Sequence, residues 1–261
     1  MDSEGNTMER KKWLAAVMGM TMPGMGQIYN GELIKGISFL AIFLALFVTG
    51  FQWMVLLPDR WLIFGALGTI SMAVAVFVMI IDDAHRKAES LGAGFQLKPY
   101  NRWYFYLAVW LLGSVLVSGS VYGYVKTNII EAYKIVGTSM VPVVLPGDRV
   151  FADKTAYNRM APKKGDIILF VYSDDRSKIL IRRIEEMPGN EVVLTNGKKE
   201  RVPHGMIYVL GDNQEHSIDS RELGFIPLKD VIGKVRQIYY SSGDEGVRWN
   251  RIGMVLNRSA D

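Results

Sequence analysis

The sequence predicts two successive folds: an N-terminal α-helical membrane domain over residues 1–125, and a mainly β, barrel-like domain over residues 126–261. Three observations carry this division. Long, nearly uncharged apolar runs are confined to the first half. From Ile135 onward the runs become short and are separated by turn residues. Of the 261 residues 49% are hydrophobic, high for a chain without membrane segments.

Ile37 to Leu57, Trp61 to Ile81 and Trp103 to Val125 each approach or exceed the ~20 apolar residues that cross a bilayer core. Trp53, Trp61, Trp103, Tyr104 and Tyr106 lie near their ends, where interface anchors belong. Trp13 to Tyr29 is apolar but interrupted by Pro23, Gly24 and Gly26, which disfavour a straight spanning helix. The segment 13–31 is therefore read as a short helix or a re-entrant hairpin. Arg10, Lys11 and Lys12 precede the first span, and Arg86, Lys87, Lys98 and Arg102 fall between the second and third. The positive-inside rule places these on the cytoplasmic side, so three crossings deliver residues 126–261 outside, in a multi-pass protein of the cytoplasmic membrane with the lipid bilayer as one partner.

In the second half, Arg149–Ala152, Asp166–Tyr172, Ile179–Ile181, Val192–Leu194, Ile207–Leu210 and Val235–Tyr240 read as strands. Asn196-Gly197 between two of them is a hairpin turn signal. No basic stripe points to nucleic acid. The chain has no cysteine, which removes disulfides and cysteine-based metal sites; neither a metal nor another cofactor is implied. Oligomeric state leaves no mark in the sequence.

Two blocks carry the chemistry. Gly137-Thr138-Ser139-Met140-Val141-Pro142 sets a serine after a glycine expected to let the backbone turn closely. The domain that carries it starts about ten residues beyond the third span, which holds Ser139 near the membrane face. Gly211-Asp212-Asn213-Gln214-Glu215-His216-Ser217-Ile218-Asp219-Ser220-Arg221 crowds serines, carboxylates and an arginine together. Asp212, Asp219 and Arg221 could form an acid/base or metal site, but carboxylates beside an arginine more often form a structural ion pair. A serine hydroxyl needs a base to become a nucleophile.

Ser139-Met140-Val141-Pro142, then Gly165-Asp166-Ile167-Ile168-Leu169-Phe170, then Arg182-Arg183 before Pro188-Gly189-Asn190, then the block from Gly211 to Phe225, follow one another as boxes do in bacterial type I signal peptidases. The chain resembles that family across residues 133 to 253. The resemblance implies a serine endopeptidase whose partners are signal peptides of exported preproteins, bound as an added strand. It implies Ser139 as nucleophile, with Gly137, Ser217, Asp219 and Arg221 supporting the site. The family pairs its serine with a lysine; here Arg182 occupies that place. A guanidinium donates hydrogen bonds but is not deprotonated in proteins. Val143-Val144, Glu185-Glu186 and Asn190 are further departures. His216 is an alternative base, because its ordinary pKa suits proton transfer. Lys178, four residues before Arg182, would lie about 13 Å away along a regular strand; Lys154 and Lys164 fall where the family has ordinary surface lysines.

A catalytically impaired relative that binds exported segments or scaffolds a membrane complex is the competing reading, and a Ser-Lys autoprotease repressor is a third. Separately, Pro23-Gly24-Met25-Gly26-Gln27 resembles a Pro-Gly-x-Gly-Gln signature of small bacterial membrane modules over roughly residues 13 to 90. A helix break filled with small residues for close packing accounts for it equally well.

Overall fold

The computed structural model describes residues 9–91, 95–173, 175–194 and 197–256. The chain forms two compact units: residues up to Met54 with Phe64–Val125, and Val55–Ile63 with the residues from Lys126 on.

The first unit is helical. Helix α1 (Lys12–Thr21) and the one-turn α2 (Met25–Tyr29) are separated at Met22–Gly24. Gly24 has φ +88°, and a side chain there would run into the backbone of Gly36; Gly26 likewise abuts the Ala15 carbonyl and Ala84. The small residues thus serve close approach between segments. Helix α3 (Leu33–Met54) and the apolar run through Asp59–Leu91, mostly helix α4 (Leu62–Leu91), are long and apolar enough to cross a membrane.

Helix α4 runs on through residues 82–91, where the sequence suggested a loop. Asp82 and Arg86 pair one turn apart at 2.8 Å, and alanines fill neighbouring positions, both of which favour continued helix. The third expected span differs more. Regular helix α5 covers only Trp103–Val115; the backbone then widens through a π-helical stretch, Leu116–Tyr122, before helix α6 (Gly123–Asn128). Gly119 and Gly123 sit in that region, and each lowers helix propensity by roughly 1 kcal/mol relative to alanine.

The second unit is built on an antiparallel sheet: β1 (Ile130–Lys134), β2 (Asp148–Asp153), β3 (Ile167–Val171), β4 (Ile179–Glu186), β7 (Met206–Leu210), β8 (Ile226–Pro227), β9 (Val231–Gly243) and β10 (Gly246–Val247). Its order is β1-β2-β9-β3-β4-β7-β8, with β10 on β9. A separate hairpin joins β5 (Glu191–Val193) to β6 (Lys199–Arg201). Thr195 and Asn196, at the expected hairpin turn, lie outside the described residues. Short helices α7 (Ala156–Arg159) and α8 (Ser220–Leu223) interrupt the strands.

The sheet curls without closing: β1 and β8 are its two ends. Register shifts on β2, β3 and β4 against their neighbours bend it, as inserted residues do. Both faces are covered. Ile167 and Leu169 join one core with Met140, Val150, Ile181 and Ile238. Ile168 and Phe170 join the other with Ile184, Ile207 and Val209. This is why β3 reads as a continuous apolar run rather than an alternating one.

The stretch 55–63 belongs to this second unit. Arg236 on β9 donates to the carbonyls of Val55 (2.7 Å) and Leu57 (2.5 Å) and to the Asp59 carboxylate (2.5 Å). Arg159 donates to the Val55 carbonyl, and Gln237 accepts from the Ile63 amide.

Candidate active site

Ser139 lies in the loop that joins β1 to β2. Its neighbour Met140 is buried in the sheet core, which fixes the loop from beneath. Asp148, fully buried at the start of β2, accepts from the Leu145 amide, the Ser241 hydroxyl and two nitrogens of Arg251. Burial raises the Asp148 pKa, but these donors outweigh it and hold the carboxyl below its usual value. The other anchor comes from the Gly211–Arg221 segment. The Asn213 amide donates to the Ser139 carbonyl at 2.9 Å, and its side-chain nitrogen to the Thr138 carbonyl at 3.1 Å. Gly211 packs so closely that a Cβ there would overlap Ser217 and the Ser139 carbonyl.

Arg182, on β4, is buried and donates from Nη1 to Ser139 Oγ at 2.7 Å. Its Nε and Nη2 both donate to the Ile218 carbonyl, at 3.0 and 2.6 Å, and Nη1 also reaches the Ile181 carbonyl. Burial pushes the guanidinium pKa down, and the Asp219 charge opposes that shift. It remains a donor throughout the physiological range.

The other residues of the second block divide by burial. Ser217 is buried, with its Oγ in no well-aligned hydrogen bond, although the hydroxyl lies near enough to Asp219 to help depress that carboxyl. Arg182 therefore turns to Ser139 and to backbone carbonyls, not to Ser217. Asp219 is fully buried. It takes two parallel hydrogen bonds from Arg221 at 2.9 Å, accepts from the Gly211 amide, and caps α8 through the Arg221 amide. Burial raises its pKa, but Arg221 and the amides more than compensate, and the net shift is downward. Asp212 pairs with Arg183 through two hydrogen bonds of 2.8 Å. Both carboxylates are thus engaged in ion pairs, and no cluster of residues suited to a metal occurs among the described residues.

Gly137 has another place than expected. Its φ is not positive, and a Cβ there would meet open space. The close approach assigned to it belongs to Gly211.

Ser139 and Arg182 open onto a cleft of about 570 Å³, walled by residues 133–139 on one side and residues 178–182 on the other. His216, exposed, and Ile218 line the same cleft. Lys178 also faces it, but its side chain is largely exposed and paired with Asp175 at 3.1 Å. Lys154 pairs with Glu131, and Lys164 with Glu185 and Glu186. Sequence reasoning missed the Ile218 carbonyl, Asn213, Gly211 and Asp148 as site-forming groups. The first is a backbone atom with no sequence signature. The other three lie inside the two blocks or just after the first, where their positions were the available signal.

The family model of signal peptidase, peptidase S26, matches residues 107–199 and 193–240. A probable signal peptidase I-1 from Synechocystis sp. is 30% identical over 144 residues, covering 44% of this chain and 71% of that protein. Signal peptidase I of Bacillus caldolyticus is 26% identical over 179 residues, 55% of this chain and 92% of its own length. That of Bacillus licheniformis is 28% identical over 149 residues, 44% of this chain and 80% of its own length. With a family match over half its length and a buried partner hydrogen-bonded to the serine of its first block, this chain belongs to the signal peptidase family, peptidase S26.

Proposed function

We propose that this chain is a serine endopeptidase that removes N-terminal signal peptides from exported preproteins at the outer face of the cytoplasmic membrane. The observation that carries this reading is the 2.7 Å hydrogen bond from Arg182 to Ser139 Oγ at the wall of a strand-lined cleft. The substrate enters extended, beside the edge strand β1 and the 133–139 segment, where main-chain pairing would hold it.

Ser139 is the nucleophile. Arg182 takes the position of the family lysine and acts as a charge stabiliser. Its Nη1 holds Oγ as negative charge develops there, while the Ile218 carbonyl fixes the guanidinium plane. Arg182 cannot take the serine proton, which limits the rate; His216, which lines the same cleft, is the alternative acceptor. Attack on the scissile carbonyl forms a Ser139 ester and releases the mature protein's amine, which takes the proton back; water then hydrolyses the ester. Ser217, Asp219 and Arg221 brace the site through the packing of Gly211.

The membrane reading accompanies it. Residues 1–125 form the membrane domain, crossing at α3, α4 and the helical path from Trp103, with the N-terminus inside and residues 126–261 outside. Arg236 supports this topology: it binds the 55–63 stretch between α3 and α4 into the same unit as the catalytic residues, so both belong on one side.

The test is a preprotein incubated in detergent with wild type and with Ser139→Ala. Loss of several orders of magnitude is expected, because removing the nucleophile of a covalent mechanism costs on the order of 10⁶-fold. Equal processing by both, or none by either, rejects the assignment; the latter outcome is that of a binding or scaffolding relative.

A further inference from the structure

The helical unit contains a polar feature that peptide cleavage does not use. Arg10 is 6% exposed and lies between two aromatic rings, 4.4 Å from the centre of Tyr29 and 4.6 Å from that of Phe95. Its Nε and Nη2 are buried and have no hydrogen-bond partner. These two nitrogens share one edge of the guanidinium, the edge that grips two oxygens of a single oxyanion in parallel. The rings fix the plane of that fork.

A buried guanidinium edge without partners is costly, and among the described residues the acids that form ion pairs in this unit form them with other cations. Glu32 faces Lys35 and Lys87, both at 3.5 Å; Asp83 binds Lys35 at 2.8 Å; Asp82 binds Arg86 at 2.8 Å; Glu89 binds Lys12 at 2.9 Å. Glu9 is exposed.

We propose that Arg10 anchors a phosphate-binding site whose occupant is the headgroup phosphate of an anionic phospholipid. Two features favour a lipid source. Arg10 stands at the head of α1, whose exposed Trp13, Val17 and Met20 recur at i, i+4 and i+7, an apolar stripe along which an acyl chain can lie. Lys11 is the next residue, and Lys98 donates to the carbonyl of Gly31, the residue that Phe95 packs against. Such an excess of positive charge selects a headgroup with net negative charge. The site is independent of the cleavage reading, and its test does not use activity.

The experiment is native mass spectrometry of the full chain in neutral detergent, titrated with phosphatidylglycerol, phosphatidylcholine and, separately, inorganic phosphate. Wild type is expected to retain one phosphatidylglycerol in preference to phosphatidylcholine. Arg10→Gln, and Arg10→Lys, which keeps the charge and ring contact but has no fork, should bind at least about tenfold more weakly, as loss of charge-assisted hydrogen bonds implies. Lys12→Gln, at an exposed ion pair, should stay within about twofold. Should Arg10→Gln fail to fold, Arg10→Lys carries the comparison. Undiminished phosphatidylglycerol retention by Arg10→Lys overturns the proposal. Saturation by inorganic phosphate without phosphatidylglycerol retention overturns the lipid source.

Discussion

Arg182 Nη1 stands 2.7 Å from Ser139 Oγ, and the other two nitrogens of the same side chain are both spent on one carbonyl, that of Ile218. The serine is held by a group that can give protons but not take them. Replacing Arg182 by lysine puts a titratable amine into the same buried place, where desolvation lowers an amine's pKa as it already lowers that of the guanidinium. A general base contributes about 10²–10⁴-fold, so Arg182→Lys should raise cleavage of a preprotein by that order, with a rise toward alkaline pH. The gain should disappear when Ser139→Ala is added. An inert Arg182→Lys beside an active wild type would reject the view that position 182 limits proton transfer.

If His216 accepts the serine proton, His216→Gln should lower kcat by about 10²-fold or more. KM for the preprotein should change little, because His216 is an exposed residue of the cleft wall. An unchanged kcat assigns the proton elsewhere.

Gly211→Ala tests the close approach of the two blocks. A Cβ there overlaps Ser217 and the Ser139 carbonyl, so the nucleophile's loop must shift. Overpacking costs about 1–3 kcal/mol of stability. Thermal denaturation should show that modest loss while cleavage falls far more steeply. Gly137→Ala, with open space at its Cβ, should leave the melting temperature unchanged.

Asp219 sets a pH dependence of stability. Its carboxyl pKa is lower in the folded protein than the ordinary value of about 3.9. The stabilisation is therefore complete above that ordinary value and is lost as pH falls through the folded one. Asp219→Asn leaves Arg221 and the Gly211 amide without their anion and should cost about 3–5 kcal/mol at neutral pH. Denaturant unfolding from pH 7 to pH 2 should show a shallower acid decline in the variant. Parallel curves would mean that Asp219 is not protonated over that range.

Topology can be read with single cysteines at Ser173 and Ser90, probed on intact spheroplasts by an impermeant thiol reagent. Labelling at position 173 and protection at position 90 are expected. The reverse pattern would sink the orientation derived from the basic residues.

Much of the second unit was legible because its strands bury both faces. Ile167–Phe170 and Ile207–Leu210 leave continuous apolar runs that no loop would carry. Strand β1 was not, since Ile130–Lys134 mixes charged and apolar residues directly after a helix. The serine and Gly-Asp-Asn blocks were visible as motifs, but their mutual anchoring was not: Asn213 and Ile218 act there partly through backbone groups, which any residue carries. The widened helix after Val115 was equally hidden, because its composition is that of an ordinary apolar span.

The capture of residues 55–63 by Arg236 makes the peptidase unit discontinuous in the gene. A fragment begun at Lys126, the boundary that hydropathy recommends, would strip a buried guanidinium of two carbonyls and a carboxylate together. Attempts to excise a soluble enzyme at that point should therefore yield aggregates, whereas supplying the nine-residue segment in trans, or grafting it ahead of Lys126 on a flexible tether, offers a route to a secretable form.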